Sequence, residues 1–339
     1  MIRSKAPLRL GLGGGGTDVS PYSDIYGGAV LNATVNLYAY ATIEPLKGNN
    51  ILLRSVDKGI EAEFKTEKKL ETDGKLDIIK GVYNRVIRDY EVPLKSFSIT
   101  TFVDSPAGSG LGTSSTLVTA VLGAFTEWLK LPLGEYDLAK LAYDIERNDL
   151  SMAGGKQDQY AATFGGVNFM EFYENGKVIV NPLRVKDQIL NELSNNIVLY
   201  YTKTSRISSE IIEKQQYNVN TGSVNPVEAM HKIKALAIQM KEAILKGKLD
   251  TMGELLNLSW EYKKQMAEGI SNPQIDKIYD AAMKAGATGG KISGAGGGGF
   301  MFFYCPGNSR FEVIKALEQF GGHARRYEFT RHGLETWTI

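Results

Sequence analysis

The chain has a single cysteine, Cys305, in 339 residues, so no internal disulfide can form and a reducing compartment is expected. It has no excess charge of either sign. Its 39 lysines and arginines face 38 aspartates and glutamates, which argues against nucleic acid or a membrane surface as partner. No apolar run is long enough to span a bilayer, and residues 1–9 lack the apolar centre of a signal peptide. Internal repeats, low-complexity tracts and coiled-coil heptads are absent too. These absences leave a soluble, cytoplasmic globular protein as the expectation. The length suggests two domains rather than one core.

Glycine is in excess, with 37 residues that cluster. The central cluster, 106–116, reads Pro-Ala-Gly-Ser-Gly-Leu-Gly-Thr-Ser-Ser-Thr. Gly108, Gly110 and Gly112 alternate, and Thr113, Ser114, Ser115 and Thr116 follow at once. Upstream, 97–103 alternates like a strand, and downstream 117–129 is apolar on nearly every side, as in a buried helix. The stretch reads as strand, glycine loop and hydroxyl-capped helix. That arrangement turns backbone N–H groups and a helix start toward a bound phosphate. It is neither a Walker A loop, since no lysine follows Gly112, nor a dinucleotide fingerprint, since the third glycine falls one place early. On this loop alone, a plain glycine-rich turn stays open.

The first cluster, Gly13, Gly14, Gly15 and Gly16, follows a strand-like 6–12 and leads into Thr17 and Asp18. Ordering four glycines costs much chain entropy. The run is therefore either a flexible loop or backbone lying close against a ligand. The third cluster, 294–299, is all glycine apart from Ala295 and precedes an apolar strand at 300–304, with more glycine than a β-turn requires.

Patterning predicts further strands at 29–43, 51–54, 60–64, 166–170, 196–201 and 324–329. It predicts helices over 77–89, 135–148, 208–216, 226–246, 250–267, 273–285 and 310–319, with a linker at 181–184. Glu146 and Asp158 bracket a small-residue hinge that contains Lys156. Carboxylates near a phosphate loop suit Mg²⁺, although each taken singly reads as a solvated helix charge. Lys203, Arg206, Ser208 and Ser209 gather cations and hydroxyls at a helix start, suited to a second anion or to ordinary capping.

With all three clusters in view, the chain resembles the GHMP kinases, the superfamily of galactokinase, homoserine kinase, mevalonate kinase and phosphomevalonate kinase. Residues 106–115 are similar to its P-x-x-x-G-L-G-S-S loop, with Thr113 where a serine is usual. Residues 291–299 are similar to its third motif, and 6–12 with Thr17 and Asp18 to its first motif in sugar-phosphorylating members. Stretches 13–22 and 153–160 are similar to the D-glycero-D-manno-heptose 7-phosphate kinases and unlike the Gly-Glu-His-Thr-Asp of galactokinases.

The resemblance spans the whole chain and implies an α+β fold. An N-terminal β-α domain with a left-handed crossover would cover 1–185, and a C-terminal ferredoxin-like domain 186–339. It implies ATP and Mg²⁺, and transfer to the anomeric hydroxyl of a heptose 7-phosphate, giving the 1,7-bisphosphate for nucleotide-activated heptose and surface polysaccharide. The runner-up is an L-fucose kinase or another sugar-1-kinase. From another class, the alternative is a non-catalytic sugar- or nucleotide-binding protein on the same scaffold. A lyase of the diphosphomevalonate decarboxylase kind is disfavoured by the Thr17–Asp18 sugar motif.

By the same resemblance, Pro106, Ala107, Gly108, Ser109, Gly110, Leu111, Gly112, Thr113, Ser114 and Ser115 would wrap the ATP phosphates. Ser114, or failing it Ser115, would be the hydroxyl ligand of Mg²⁺, and Glu146 would complete the metal site. Asp158 would face the acceptor hydroxyl as base or orienting group, with Arg9 beside it steadying developing charge. Gly13, Gly14, Gly15, Gly16, Thr17 and Asp18 would meet the sugar, and Gly294, Gly296 and Gly297 would close over phosphates and acceptor. An acceptor phosphate also needs its own cations. Lys203, Arg206, Ser208 and Ser209 are the candidates, with Lys156 secondary.

Overall fold

The computed structural model describes residues 1–204 and 208–339, leaving aside the side chain of Ser208. The first part of the chain runs β1 (Ile2–Gly13), α1 (Tyr22–Tyr26), β2 (Gly28–Pro45), β3 (Asn50–Ser55), β4 (Ile60–Lys65), α2 (Asp77–Tyr90), β5 (Phe97–Val103), α3 (Thr113–Leu129), α4 (Glu135–Asp144), α5 (Gln157–Phe164), β6 (Val167–Phe172) and β7 (Val178–Pro182). It continues with α6 (Asp187–Asn196), β8 (Ile197–Tyr201), α7 (Ser208–Asn220), α8 (Val224–Leu245), α9 (Leu249–Met266) and α10 (Pro273–Lys284). The remainder is β9 (Gly289–Ile292), β10 (Phe300–Tyr304), α11 (Ser309–Leu317), β11 (His323–Arg325) and β12 (Glu335–Thr338).

The larger sheet has eight strands in the order β12-β1-β2-β5-β3-β4, with β6 and β7 attached through β2. β2 serves two neighbours in succession, β6 along its first residues and β5 along its last. Its burial changes to match. The first eight positions are all buried, as in a strand covered on both faces, and the rest alternate as in a strand covered on one. The smaller sheet is antiparallel, in the order β11-β8-β10-β9. Its chain order, with helices between β8 and β9 and α11 between β10 and β11, is the β-α-β-β-α-β course of a ferredoxin-like unit.

Two irregularities in β1 bracket Arg9. The pairing with β2 slips between Pro7 and Leu8, where proline has no N–H for the ladder, and again between Gly11 and Gly13. Such bulges bend a strand and re-aim its side chains. Leu8 and Leu10 are wholly buried in the core, and the Arg9 N–H donates to Leu111 O of the central glycine loop at 3.1 Å. β1 is thereby fastened to that loop. α3 follows the loop and is buried from Ser115 through Phe125, as its uninterrupted apolar pattern requires.

The first glycine cluster answers to the protein's own packing. Gly14 has φ of 79°, and a Cβ there would overlap the Ala29 carbonyl oxygen. A Cβ at Gly13 would come within 2.7 Å of Met240 Sδ, and one at Gly16 (φ 104°) would overlap Met266 Cε. Only Gly15 has room, its nearest neighbour being Gln157 Nε2 at 3.9 Å. The run is ordered backbone, and the reading of a flexible loop is set aside.

Several sequence expectations shift. α3 is not hydroxyl-capped: Gly112, in the left-handed region, occupies the cap position and no side chain caps the helix. The helix expected over 135–148 stops at Asp144 and widens into a π-turn, Ile145–Asp149, where Leu150 N–H reaches back to Ile145 O at 3.0 Å. The strand expected at 324–329 is divided. Only β11 is a strand, Phe329 bridges singly to Val35, and the last strand is β12, paired with β1. β7 and α6 lie outside the sequence reading, although the buried faces of α6 at Leu190 and Leu193 keep helical spacing.

Gly14→Ala is expected to lose roughly 3 kcal/mol or more, combining left-handed strain with overlap on Ala29. Gly15→Ala is expected to stay within about 0.5 kcal/mol. Denaturant melts of both variants check this, and equal losses would refute the packing explanation.

Candidate active site

Arg9 stands at the centre of the cleft and is 4% exposed. Its Nε donates to Asp158 Oδ1 at 2.6 Å and its Nη1 to Gly110 O at 2.7 Å, with Ser293 Oγ at 3.5 Å. One guanidinium thus joins the start of α5, the central glycine loop and the end of β9. Asp158 Oδ2 accepts no hydrogen bond from the described residues, so one carboxylate oxygen is held by Arg9 while the residue also lines the cleft.

The two later glycine clusters interlock. A Cβ at Gly294 would lie 2.8 Å from Gly110 Cα, and one at Gly110 would overlap Ser293 O. Phe300 N–H donates to Ser109 O at 2.8 Å and Ser293 Oγ to Gly110 O at 2.9 Å. Side chains at these glycines would drive the two loops apart.

Glu146 is wholly buried within the π-turn. It accepts from Ser114 Oγ at 2.7 Å, Ser115 Oγ at 2.6 Å and Gln159 Nε2 at 2.7 Å, with Arg147 Nη1 at 3.5 Å. Two of the hydroxyls read as caps, Ser114 and Ser115, are engaged here. The result is a carboxylate and two hydroxyls at the N-terminus of α3, a set of hard oxygen donors. Among the described residues there is no cluster of three or more His, Cys, Asp or Glu. A site with few protein ligands suits Mg²⁺, which takes one or two carboxylates and draws the rest from water and substrate phosphates.

Asp18 is 1% exposed and accepts from the backbone N–H of Gly16 and Gln157 and from Gln157 Nε2, each at 3.1 Å. It lines the same cleft. The Thr17 hydroxyl turns inward to Gly14 O and Ala29 O and serves the loop's shape. Of the third cluster, Gly294 lines the cleft, whereas Gly296 packs on Ile270.

Of the cations suggested for a second anion, Lys156 and Lys203 do not line the cleft. Lys156 donates to Ser23 Oγ at 3.0 Å and Asp24 Oδ1 at 2.5 Å. Lys203 is exposed at a left-handed position. Arg206 and the Ser208 side chain lie outside the described residues, and Ser209 lines a neighbouring pocket. The cleft instead receives Lys263 from α9 and Lys291 from β9, each 3% exposed. Burial lowers the Lys263 ammonium to about 8, with Asp18 opposing the shift and Arg9 adding to it. Burial, then Lys263 and Arg9, push Lys291 well below its ordinary value. Lys263 was legible in part, since it falls on the buried stripe of Met252, Leu256 and Trp260. The neighbouring pocket shares Gly108, Thr113, Ser114 and Ala153 with the cleft and adds apolar walls from Ile78, Val103, Leu117 and Met152.

The family model for the GHMP kinases N terminal domain matches residues 77–166, and that for the GHMP kinases C terminal domain matches 240–323. The D-glycero-alpha-D-manno-heptose 7-phosphate kinase of Campylobacter jejuni is 49% identical over 338 residues, covering 100% of this chain and 99% of that protein. The chain belongs to the GHMP kinases. A crystal structure of a D-glycero-D-manno-heptose 1-phosphate kinase from Bacteroides thetaiotaomicron matches this GHMP kinase with a TM-score of 0.86 at 48% identity, covering 100% of this chain and 99% of that one. The L-fucokinase/L-fucose-1-P guanylyltransferase of Bacteroides fragilis is 29% identical over 89% of the chain, which is 34% of that protein. Membership brings the two-domain fold of the family and ATP as phosphoryl donor.

Lys156 has a structural partner, and its effect is expected on stability. Burial alone would raise the Asp24 carboxyl, but hydrogen bonds from Lys156 and Ser20 outweigh it and hold it below its ordinary 3.8. Asp24 is 39% exposed, so Lys156→Met should cost only about 1 kcal/mol at neutral pH. A depressed carboxyl stabilises above its unfolded pKa and loses that as pH falls through the folded one. The gap between variant and wild type should therefore close as melts are taken below pH 3.8. A gap that persists in acid would contradict the ion pair as its source.

Proposed function

We propose that this GHMP kinase transfers the γ-phosphate of ATP to the anomeric C1 hydroxyl of D-glycero-D-manno-heptose 7-phosphate, giving the 1,7-bisphosphate. The product would serve nucleotide-activated heptose for surface polysaccharide, made in the cytoplasm where ATP is at hand. The observation that carries this reading is the Arg9–Asp158 pair, 2.6 Å apart beside the central glycine loop, in a chain 49% identical along its length to a heptose 7-phosphate kinase.

Phosphoryl transfer asks a protein chiefly for positioning and charge stabilisation. The backbone of 108–115 would cradle the nucleotide phosphates, with the base in the apolar pocket beside it. Mg²⁺ would be held by Ser114 and Glu146 and would supply neutralisation of phosphate charge. Asp158, steadied by Arg9 through one oxygen, would present the other to the C1 hydroxyl and orient it or take its proton. Arg9 would then offset the charge that develops. Asp18 with Gly15 and Gly16 would line the sugar, and Gly294 would bring the third loop over phosphates and acceptor, with Gly296 and Gly297 buried behind it. We take 1–185 and 186–339 as the two domains, with β12 lent back to the first sheet.

The assay is Mg²⁺-dependent ATP turnover on heptose 7-phosphate, heptose 1-phosphate, unphosphorylated heptose, L-fucose and galactose, with the product phosphate located by ³¹P NMR. Heptose 7-phosphate should be preferred, with the new phosphate at C1. Preference for L-fucose or galactose would sink the heptose assignment. Asp158→Asn should lower kcat by about 10²–10⁴ if the carboxylate is a base, with KM for ATP little changed. A smaller fall would assign it to orientation alone.

A further inference from the structure

Two of the cleft's cations find no carboxylate among the described residues, Lys291 meeting only a carbonyl and, at 5.9 Å, the Phe302 ring. Among the described residues, Lys263 Nζ has neither an ion-pair partner nor a hydrogen-bond acceptor, and Lys291 Nζ has only Leu12 O at 3.4 Å. Both are more than nine-tenths buried and both line the cleft. An ammonium buried without a partner is costly, and interiors keep one only where something compensates it. The nearby carboxylates are otherwise engaged. Asp158 is bound by Arg9, and Asp18 already accepts three hydrogen bonds from Gly16 and Gln157. With Arg147, whose Nη atoms donate to Met152 O and Gly155 O, the cleft lining sets four cations against two carboxylates, and Lys263 and Lys291 are the two with the least compensation.

The nucleotide does not explain the surplus. On the proposed reading its phosphates have their own receptor in the glycine loop and the start of α3. Lys263 and Lys291 come instead from α9 and β9, and Lys263 stands within Coulombic reach of Asp18. Gly16 packs against Met266 of the same α9, and Lys291 reaches the carbonyl of Leu12 just ahead of the first glycine cluster. A neutral acceptor seated there would leave both lysines uncompensated. A dianion would compensate them.

We infer that Lys263 and Lys291 together form the receptor for the phosphate that the acceptor already carries. Lys156, whose ammonium is held by Asp24, is not part of it. The inference rests on the reading that the acceptor is a sugar phosphate. It makes the lysine pair the determinant of phosphorylated over unphosphorylated substrates. The depressed affinity of both ammonium groups for protons is what an empty receptor should show, and a bound dianion would restore it.

The test compares wild type with Lys263→Met and Lys291→Met, which keep the side-chain length and drop the charge. The measured quantity is the ratio of kcat/KM for heptose 7-phosphate to that for unphosphorylated heptose. Each variant should reduce this ratio at least about tenfold, the worth of one charge-assisted hydrogen bond. Equal loss on both acceptors would place the lysines at the transferred phosphate and overturn the receptor. So would a collapse of the ratio in Arg206→Ala with none in the lysine variants.

A second measurement stands apart from the identity of the sugar. With ADP saturating the glycine loop, inorganic phosphate should raise the Tm of wild type by several degrees and that of Lys263→Met by much less. If that shift is seen while heptose 7-phosphate is not turned over, the anion receptor stands and the choice of acceptor falls. If phosphate protects wild type and both variants alike, the receptor falls. Without phosphate, Lys263→Met should melt no lower than wild type, because an uncompensated buried charge has been removed. A lower Tm would make the lysine structural and refute the assignment.

Discussion

The guanidinium of Arg9 is the constraint on which the site depends. Its planar fork offers donors in fixed directions, so the groups it binds must come to it rather than the reverse. They arrive from positions 101, 149 and 284 residues away along the chain, as Gly110, Asp158 and Ser293. The bulges of β1 aim the arginine, and the glycine clusters permit the close approach it demands. Replacing Gly110 or Gly294 would separate two backbones that nearly touch. The glycines of these clusters therefore answer largely to a packing requirement among the loops that line the cleft.

The cleft is an expensive piece of protein. Glu146 is wholly buried, Asp18, Lys263 and Lys291 nearly so, and each needs dedicated donors or a ligand. The π-turn at Ile145–Asp149 belongs to the same economy. A widened turn is poorer in hydrogen-bond geometry than an α-turn, yet it sets Glu146 against the two serines of α3. Local rules give way where chemistry is placed, and the surrounding core of α3, β1 and β2 supplies the stability to hold them.

Much of the architecture could be read from period and punctuation. Strands such as Phe97–Val103 and helices such as Pro273–Lys284 match their patterns because burial on one face imposes a period of 2 or 3.6. The failures have physical causes. The hydroxyls before α3 look like caps, but a buried carboxylate from elsewhere competes for them and wins. The C-terminal segment looks like one strand, but it must leave the smaller sheet to edge the larger, so its pairing is broken.

The sequence alone determined the three glycine clusters, their order and the buried helix after the central one, while the roles expected of Glu146 and Asp158 came from the resemblance. The clusters and the helix follow from backbone freedom and local hydrophobic period, which are properties of short stretches. Tertiary structure alone decided which cations face the cleft. Lys156 looked available but is neutralised by Asp24, 132 residues away, whereas Lys263, on the buried stripe of its helix, has no hydrogen-bond or ion-pair partner among the described residues. A lysine's role is set by whatever lies within about 3 Å of its ammonium, and only the folded chain supplies that neighbour.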